Sequence, residues 1–162
     1  LNDIGTEIDI AGLMRIKGYV GKPLPEGIGW DEVVTAMKIA NRDVFPALDE
    51  AGWQRFARRL HREVGGRPAM DYDPALAATL AMVTPETPMP DLWAPFEALA
   101  AVPMQVLRGA LSDLLTAETV AKMAERHPGL DVVEVADQGH APLLEDEPTL
   151  AAIIAFLDRV GA

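Results

Sequence analysis

Two residues in the last third of the chain, Asp113 and His140, have the types and settings that proton-transfer chemistry needs. An imidazole takes up and returns a proton near neutral pH. A carboxylate held against it fixes its tautomer and stabilises the imidazolium as it forms. Such a pair serves the hydrolysis of esters, amides and related bonds, which also requires a nucleophile and donors for the oxyanion. The chain has no Cys, and its only Ser, Ser112, neighbours Asp113 on a turn. The roles that follow are general base and acid for His140 and orienting carboxylate for Asp113. Asp113 and Ser112 also suit the plainer task of capping the helix that follows them.

The elements that must position this pair lie between Val102 and Pro142. Met104 to Leu107 and Val132 to Val135 are short apolar runs bounded by Pro and Gly, the pattern of buried strands. Between them, Thr116 predicts a helix cap, with Val120, Met123 and Ala124 on one face, Glu118 in the first turn and Arg126 and His127 in the last. Strand, helix, strand at this spacing is a βαβ unit. Asp113 and His140 each fall just past the C-terminal end of a strand, and in an open parallel sheet ligands collect at that edge. The two residues are therefore expected on one rim.

The run PMQVLRGALSDLL, followed by DVVEVADQGHAPLLEDEP, resembles the last two strands and the two catalytic loops of the α/β-hydrolase fold. That family orders its triad as Ser, then Asp or Glu, then His. The resemblance implies Asp113 as the acid and His140, in Gly-His-Ala-Pro, as the histidine. It also implies a Gly-x-Ser-x-Gly elbow between a strand and a helix, and this sequence has none. LNDIGTEI, at the start, resembles the end of the family's sixth strand. The expected fold class is α/β: the C-terminal portion of an α/β hydrolase, with few parallel strands flanked by helices plus a helical cap. An N-terminal part carrying the nucleophile is expected to be absent, which would leave this chain inactive alone.

Residues 1–29 read as an irregular lead-in rich in Gly and Pro, where Asp3 suits turn chemistry. Residues 30–73 read as the cap. A helix over Asp31 to Phe45 carries Val33, Val34, Met37, Ala40 and Val44 on one face, and Pro46 ends or kinks it. A second helix, about Asp49 to Val64, carries Trp53, Phe56, Ala57, Leu60 and Val64, with Gly65-Gly66 closing it. Arg55, Arg58, Arg59 and Arg62 lie off that face and read as solvated. Residues 74–162 read as the C-terminal part of the core. Asp73 and Pro74 open one helix, Asp91 opens a short one with Trp93, Phe96 and Leu99 toward the sheet, and Leu150, Ile153, Ile154, Leu157 and Val160 form the stripe of a closing helix. His61 and His127 read as surface residues.

The 162 residues and 49% hydrophobic content suit one domain with a sizeable core. A formal net charge of −11 argues against nucleic acid or an anionic membrane surface as a partner. No apolar run is long enough to span a bilayer, no disulfide framework exists without Cys, and the cytoplasm is the expected location. No His, Asp or Glu set has metal-ligand spacing and no glycine-rich phosphate loop follows a strand, so no cofactor or metal is expected. The leading function is a serine hydrolase with a small-molecule ester or related substrate. An epoxide hydrolase or haloalkane dehalogenase type, with an Asp nucleophile upstream, is one alternative. A non-catalytic interaction module is another, because strands taken from a larger sheet leave an edge that pairs with the missing half or with a second copy.

Overall fold

The computed structural model describes residues 1–161. In chain order its elements are α1 (Ile10–Lys17), α2 (Trp30–Asn41), α3 (Glu50–Leu60), β1 (His61–Val64), β2 (Arg67–Met70), α4 (Leu76–Leu80), α5 (Trp93–Glu97), β3 (Met104–Gly109), α6 (Ala117–Arg126), β4 (Leu130–Val135) and α7 (Glu147–Val160). They fall into two compact units, one of Leu1–Leu13 with Pro85–Ala162 and one of Met14–Thr84. Among the described residues no helix is long and apolar enough to cross a membrane.

The first unit is built on β3. This strand pairs in parallel with β4, Val106 opposite Val132 and Gly109 opposite Val135. On its other side Asn2 bridges Leu107 in parallel. There Leu107 N–H donates to Leu1 O at 2.9 Å and Asp3 N–H donates to Leu107 O at 2.7 Å. With neighbours on both edges β3 is buried along nearly its whole length. Even Gln105 is satisfied inside, donating to Asp131 and to Ala152 O. Arg108 is likewise engaged, through Leu115 O and Glu134.

Helix α6 forms where its cap predicts. Thr116 accepts from Thr119 N–H at 3.0 Å, and Val120 and Met123 turn inward to pack with Phe96, Val106 and Leu115. Each side chain of that size contributes about 1.5–3 kcal/mol through burial. His127 belongs to the same face and is 3% exposed, with Nε2 3.2 Å from Val102 O. The expectation of a surface position fails because His127 follows Met123 by one helical turn. Leu99, in contrast, is exposed, because α5 stops at Glu97 and the chain turns away before Leu99 reaches the core.

Helix α7 has the expected punctuation: Asp146 caps it by accepting from Thr149 N–H at 2.9 Å, Pro148 lies in its first turn and Gly161 ends it at φ 75°. Its packing differs from the expected stripe. Ala152, Ile153 and Phe156 are half-buried, while Leu150, Ile154, Leu157 and Val160 are exposed. The helix is apolar on more than one side, so one side remains open.

In the Met14–Thr84 unit, Val33 and Val34 of α2 join Phe45 and the α3 residues Trp53, Phe56 and Ala57 in a buried cluster. The Phe56 ring lies tilted against Phe45 at 5.2 Å and edge-on to Trp53 at 5.9 Å between ring centroids. Asp49 caps α3 through Gly52 N–H at 2.7 Å. The four arginines are on the exposed side, with Arg58 over the Trp30 ring at 4.3 Å.

Helix α3 ends at Leu60, not Val64. Residues 61–64 instead form the first strand of an antiparallel hairpin with β2, His61 opposite Met70 and Val64 opposite Arg67. Two effects override the helical pattern. Gly65 and Gly66 take φ 58° and 78°, the left-handed pair that a two-residue hairpin turn requires. Arg67 precedes Pro68, which drives it to extended backbone. His61 is 4% exposed rather than at the surface, its Nδ1 2.8 Å from Ala57 O.

Candidate active site

The C-terminal edge of the parallel sheet brings together three segments: the turn at Asp3, the turn after β3 and the loop after β4. Asp3 stands where the first strand stub ends, at φ 53°, a left-handed conformation that Asp tolerates better than most residues. Its carboxylate is fully buried. Gly109 N–H donates to Oδ1 at 2.9 Å and the Ser112 hydroxyl to Oδ2 at 2.5 Å. His140 Nδ1 lies 2.9 Å from the same Oδ2 and 3.1 Å from the Asp3 backbone carbonyl oxygen. Hydrogen bonds to a charged acceptor contribute about 1.5–3 kcal/mol each, which explains how a carboxylate is kept inside.

His140 is reached through a tightly braced loop. Leu111 N–H donates to Gln138 O at 2.9 Å. The Gln138 side chain accepts from Leu143 N–H at 2.7 Å and donates to Asp146 at 2.9 Å, tying the loop to the cap of α7. Burial pushes the Asp146 carboxyl up, and the hydrogen bonds from Thr149 and Gln138 outweigh it, so its pKa lies below the ordinary value. At Gly109 the two loops meet so closely that a Cβ would lie 2.4 Å from Gln138 O and 2.7 Å from Gly139 O. Only glycine fits that crossing. The His140 side chain is 20% exposed. With Nδ1–H donating to a buried carboxylate, the lone pair of the neutral ring is on Nε2. That arrangement is able to accept a proton from an adjacent group and return it.

The sequence singled out His140 and Asp113. Asp113 is half-buried in the turn between β3 and α6, with its backbone carbonyl against Gly12, where a Cβ would come within 2.4 Å. The carboxylate on His140 Nδ1 belongs to Asp3, which sequence reasoning assigned to turn chemistry. A signal for it was present: an acidic residue placed directly after a strand end on the same rim.

The fold has counterparts among solved structures. An α/β hydrolase from Novosphingobium aromaticivorans DSM 12444 is similar at TM-score 0.86 and 41% identity, over 98% of this chain and 55% of that one. The chain has the fold of the C-terminal part of an α/β hydrolase. E-2-(acetamidomethylene)succinate hydrolase shares that fold at TM-score 0.69 and 21% identity, over 99% of this chain and 56% of that one. Among curated proteins, the 3-hydroxybutyrate-oligomer hydrolase of Cupriavidus necator is 33% identical over 168 residues, covering 96% of this chain and 55% of the relative. No protein-family model matches. The chain thus spans a little over half the length of the relatives it matches.

Proposed function

We propose that this chain supplies the acid and base side of an α/β-fold hydrolase acting on carboxylic esters or related acyl bonds. The observation that carries the reading is the Asp3 to His140 contact of 2.9 Å at the C-terminal edge of a parallel sheet. His140 acts through Nε2 as general base toward the nucleophile and then as general acid toward the leaving group. Asp3 orients the ring through Nδ1 and balances the charge it acquires. Asp113, which the order of the loops favours, is the second candidate for the acid.

The nucleophile and the oxyanion donors are carried by residues outside this sequence, so the chain alone is inactive. The length of the relatives supports this, as does the lack of Cys and of any Ser on an elbow. The exposed Leu150, Ile154 and Leu157 of α7 are the place where the rest of such a fold would pack. The Met14–Thr84 unit takes the part of a cap. A short hydroxy-acid ester is the first substrate to try, because the relative from Cupriavidus necator is a 3-hydroxybutyrate-oligomer hydrolase.

The test is hydrolysis of 3-hydroxybutyrate dimer and of short-chain nitrophenyl esters by the complete gene product. His140→Ala should lower kcat by roughly 10⁶-fold. Asp3→Asn should lower it by about 10⁴-fold, and Asp113→Asn should have the smaller effect. Undiminished turnover in His140→Ala would overturn the reading.

A further inference from the structure

Ser112 has every hydrogen-bonding position of its hydroxyl committed. Its Oγ accepts from Leu114 N–H at 3.2 Å and from Leu115 N–H at 3.1 Å. A hydroxyl has two acceptor lone pairs and one proton, so with both lone pairs engaged the direction of the proton is fixed. It points to Asp3 Oδ2 at 2.5 Å, the oxygen that also receives His140 Nδ1. Gly109 N–H holds the other oxygen at 2.9 Å. Gly109 and Ser112 belong to one turn, closed by Ser112 N–H donating to Gly109 O at 2.9 Å.

The two donors act differently from one. Held by Gly109 alone, the carboxylate would pivot about Oδ1 and carry Oδ2 past the imidazole. A second donor from the same rigid turn removes that freedom. On the reading of Asp3 as the acid, we propose that Ser112 is a positioning residue: its hydroxyl locks the plane of the Asp3 carboxylate and thereby sets the direction in which His140 presents Nε2. Ser112 has no contact with the ring nitrogens and acts through Asp3. Small losses of alignment at such sites are costly, since a misplacement of about 1 Å lowers rates by about 10²-fold.

The readout is the His140 Nδ1 proton, observed by ¹H NMR on this chain through its chemical shift and its exchange with water. Ser112→Thr and Ser112→Val are nearly isosteric and differ in the hydroxyl. Thr should keep the wild-type resonance, whereas Val should broaden it and speed exchange by about tenfold, a change of about 1.4 kcal/mol in protection. Ser112→Ala replaces the Val variant if the branched side chain prevents folding, which the backbone amide spectrum reports. A Val or Ala variant with the wild-type resonance and exchange rate overturns the positioning role. Asp3→Asn separates this outcome from a failure of the underlying reading. It should move the resonance upfield and speed its exchange, since only neutral acceptors, the Asp3 backbone carbonyl at 3.1 Å among them, then face Nδ1; if it leaves the resonance unchanged, Asp3 is not the acid and the role of Ser112 falls with it.

Discussion

Asp3 and His140 are 137 residues apart in the chain and 2.9 Å apart at Oδ2 and Nδ1. One element, β3, makes this possible. It pairs with the strand stub that ends in Asp3 on one edge and with the strand that leads to His140 on the other. The turn after β3 then supplies Gly109 and Ser112 to the carboxylate.

Removal of the carboxylate should therefore be felt in stability as well as in chemistry. Asp3→Ala strands the Gly109 N–H and the Ser112 hydroxyl, while His140 Nδ1 keeps only the Asp3 backbone carbonyl at 3.1 Å, and each stranded donor costs about 1–3 kcal/mol. A loss of about 2–4 kcal/mol in urea unfolding is expected. A midpoint unchanged from wild type would contradict the buried network.

Gly109→Ala places a methyl group 2.4 Å from the Gln138 carbonyl oxygen. Backbone has to move, so the variant should lose about 1–3 kcal/mol and displace the histidine loop. Amide chemical-shift changes confined to residues near position 109, with none at 138–140, would count against this crossing.

Leu115→Ala opens a hole among Phe96, Val106, Val120 and Met123, all buried. The expected cost is about 2–5 kcal/mol, with the urea midpoint lowered and the slope unchanged. A loss below about 1 kcal/mol would mean that the site collapses around the smaller side chain.

Acid should attack the cap of α7. The Asp146 pKa is lowered in the fold from an ordinary value of 3.8, where burial raises it and the hydrogen bonds from Thr149 and Gln138 outweigh that effect. A depressed carboxyl contributes stability that is present above the unfolded value and is lost as pH falls through the folded one. Melting temperature should thus fall more steeply below about pH 4 in the wild type than in Asp146→Asn. Parallel curves for the two proteins would remove Asp146 from the acid response.

Local signals made much of the fold legible. The strands β3 and β4, the Thr116 and Asp146 caps and Gly161 after α7 are all written within a few residues of where they act. The rim position of His140 followed from them. The role of Asp3 did not, because its partners lie 106 to 137 residues away and no spacing records them. Its left-handed backbone fits the turn the sequence suggested, and the same geometry buries the carboxylate. One of the buried histidines had a signal that was passed over. His127 continues the stripe of Val120 and Met123, and His61, the first residue of β1, folds back so that Nδ1 lies 2.8 Å from Ala57 O. Residues 61–64 depart from the helical period because it runs up to a Gly-Gly pair whose meaning is a reversal of chain direction.

The first unit is assembled from two stretches of chain that flank Met14–Thr84. Everything between them is, for the carboxylate and the imidazole, a detour. Lengthening a detour is cheap, since each doubling of a flexible closed segment adds only about 0.6 kcal/mol of entropy. A scaffold wired in this way lets the intervening stretch be rewritten, enlarged or traded for another while Asp3 and His140 stay in register.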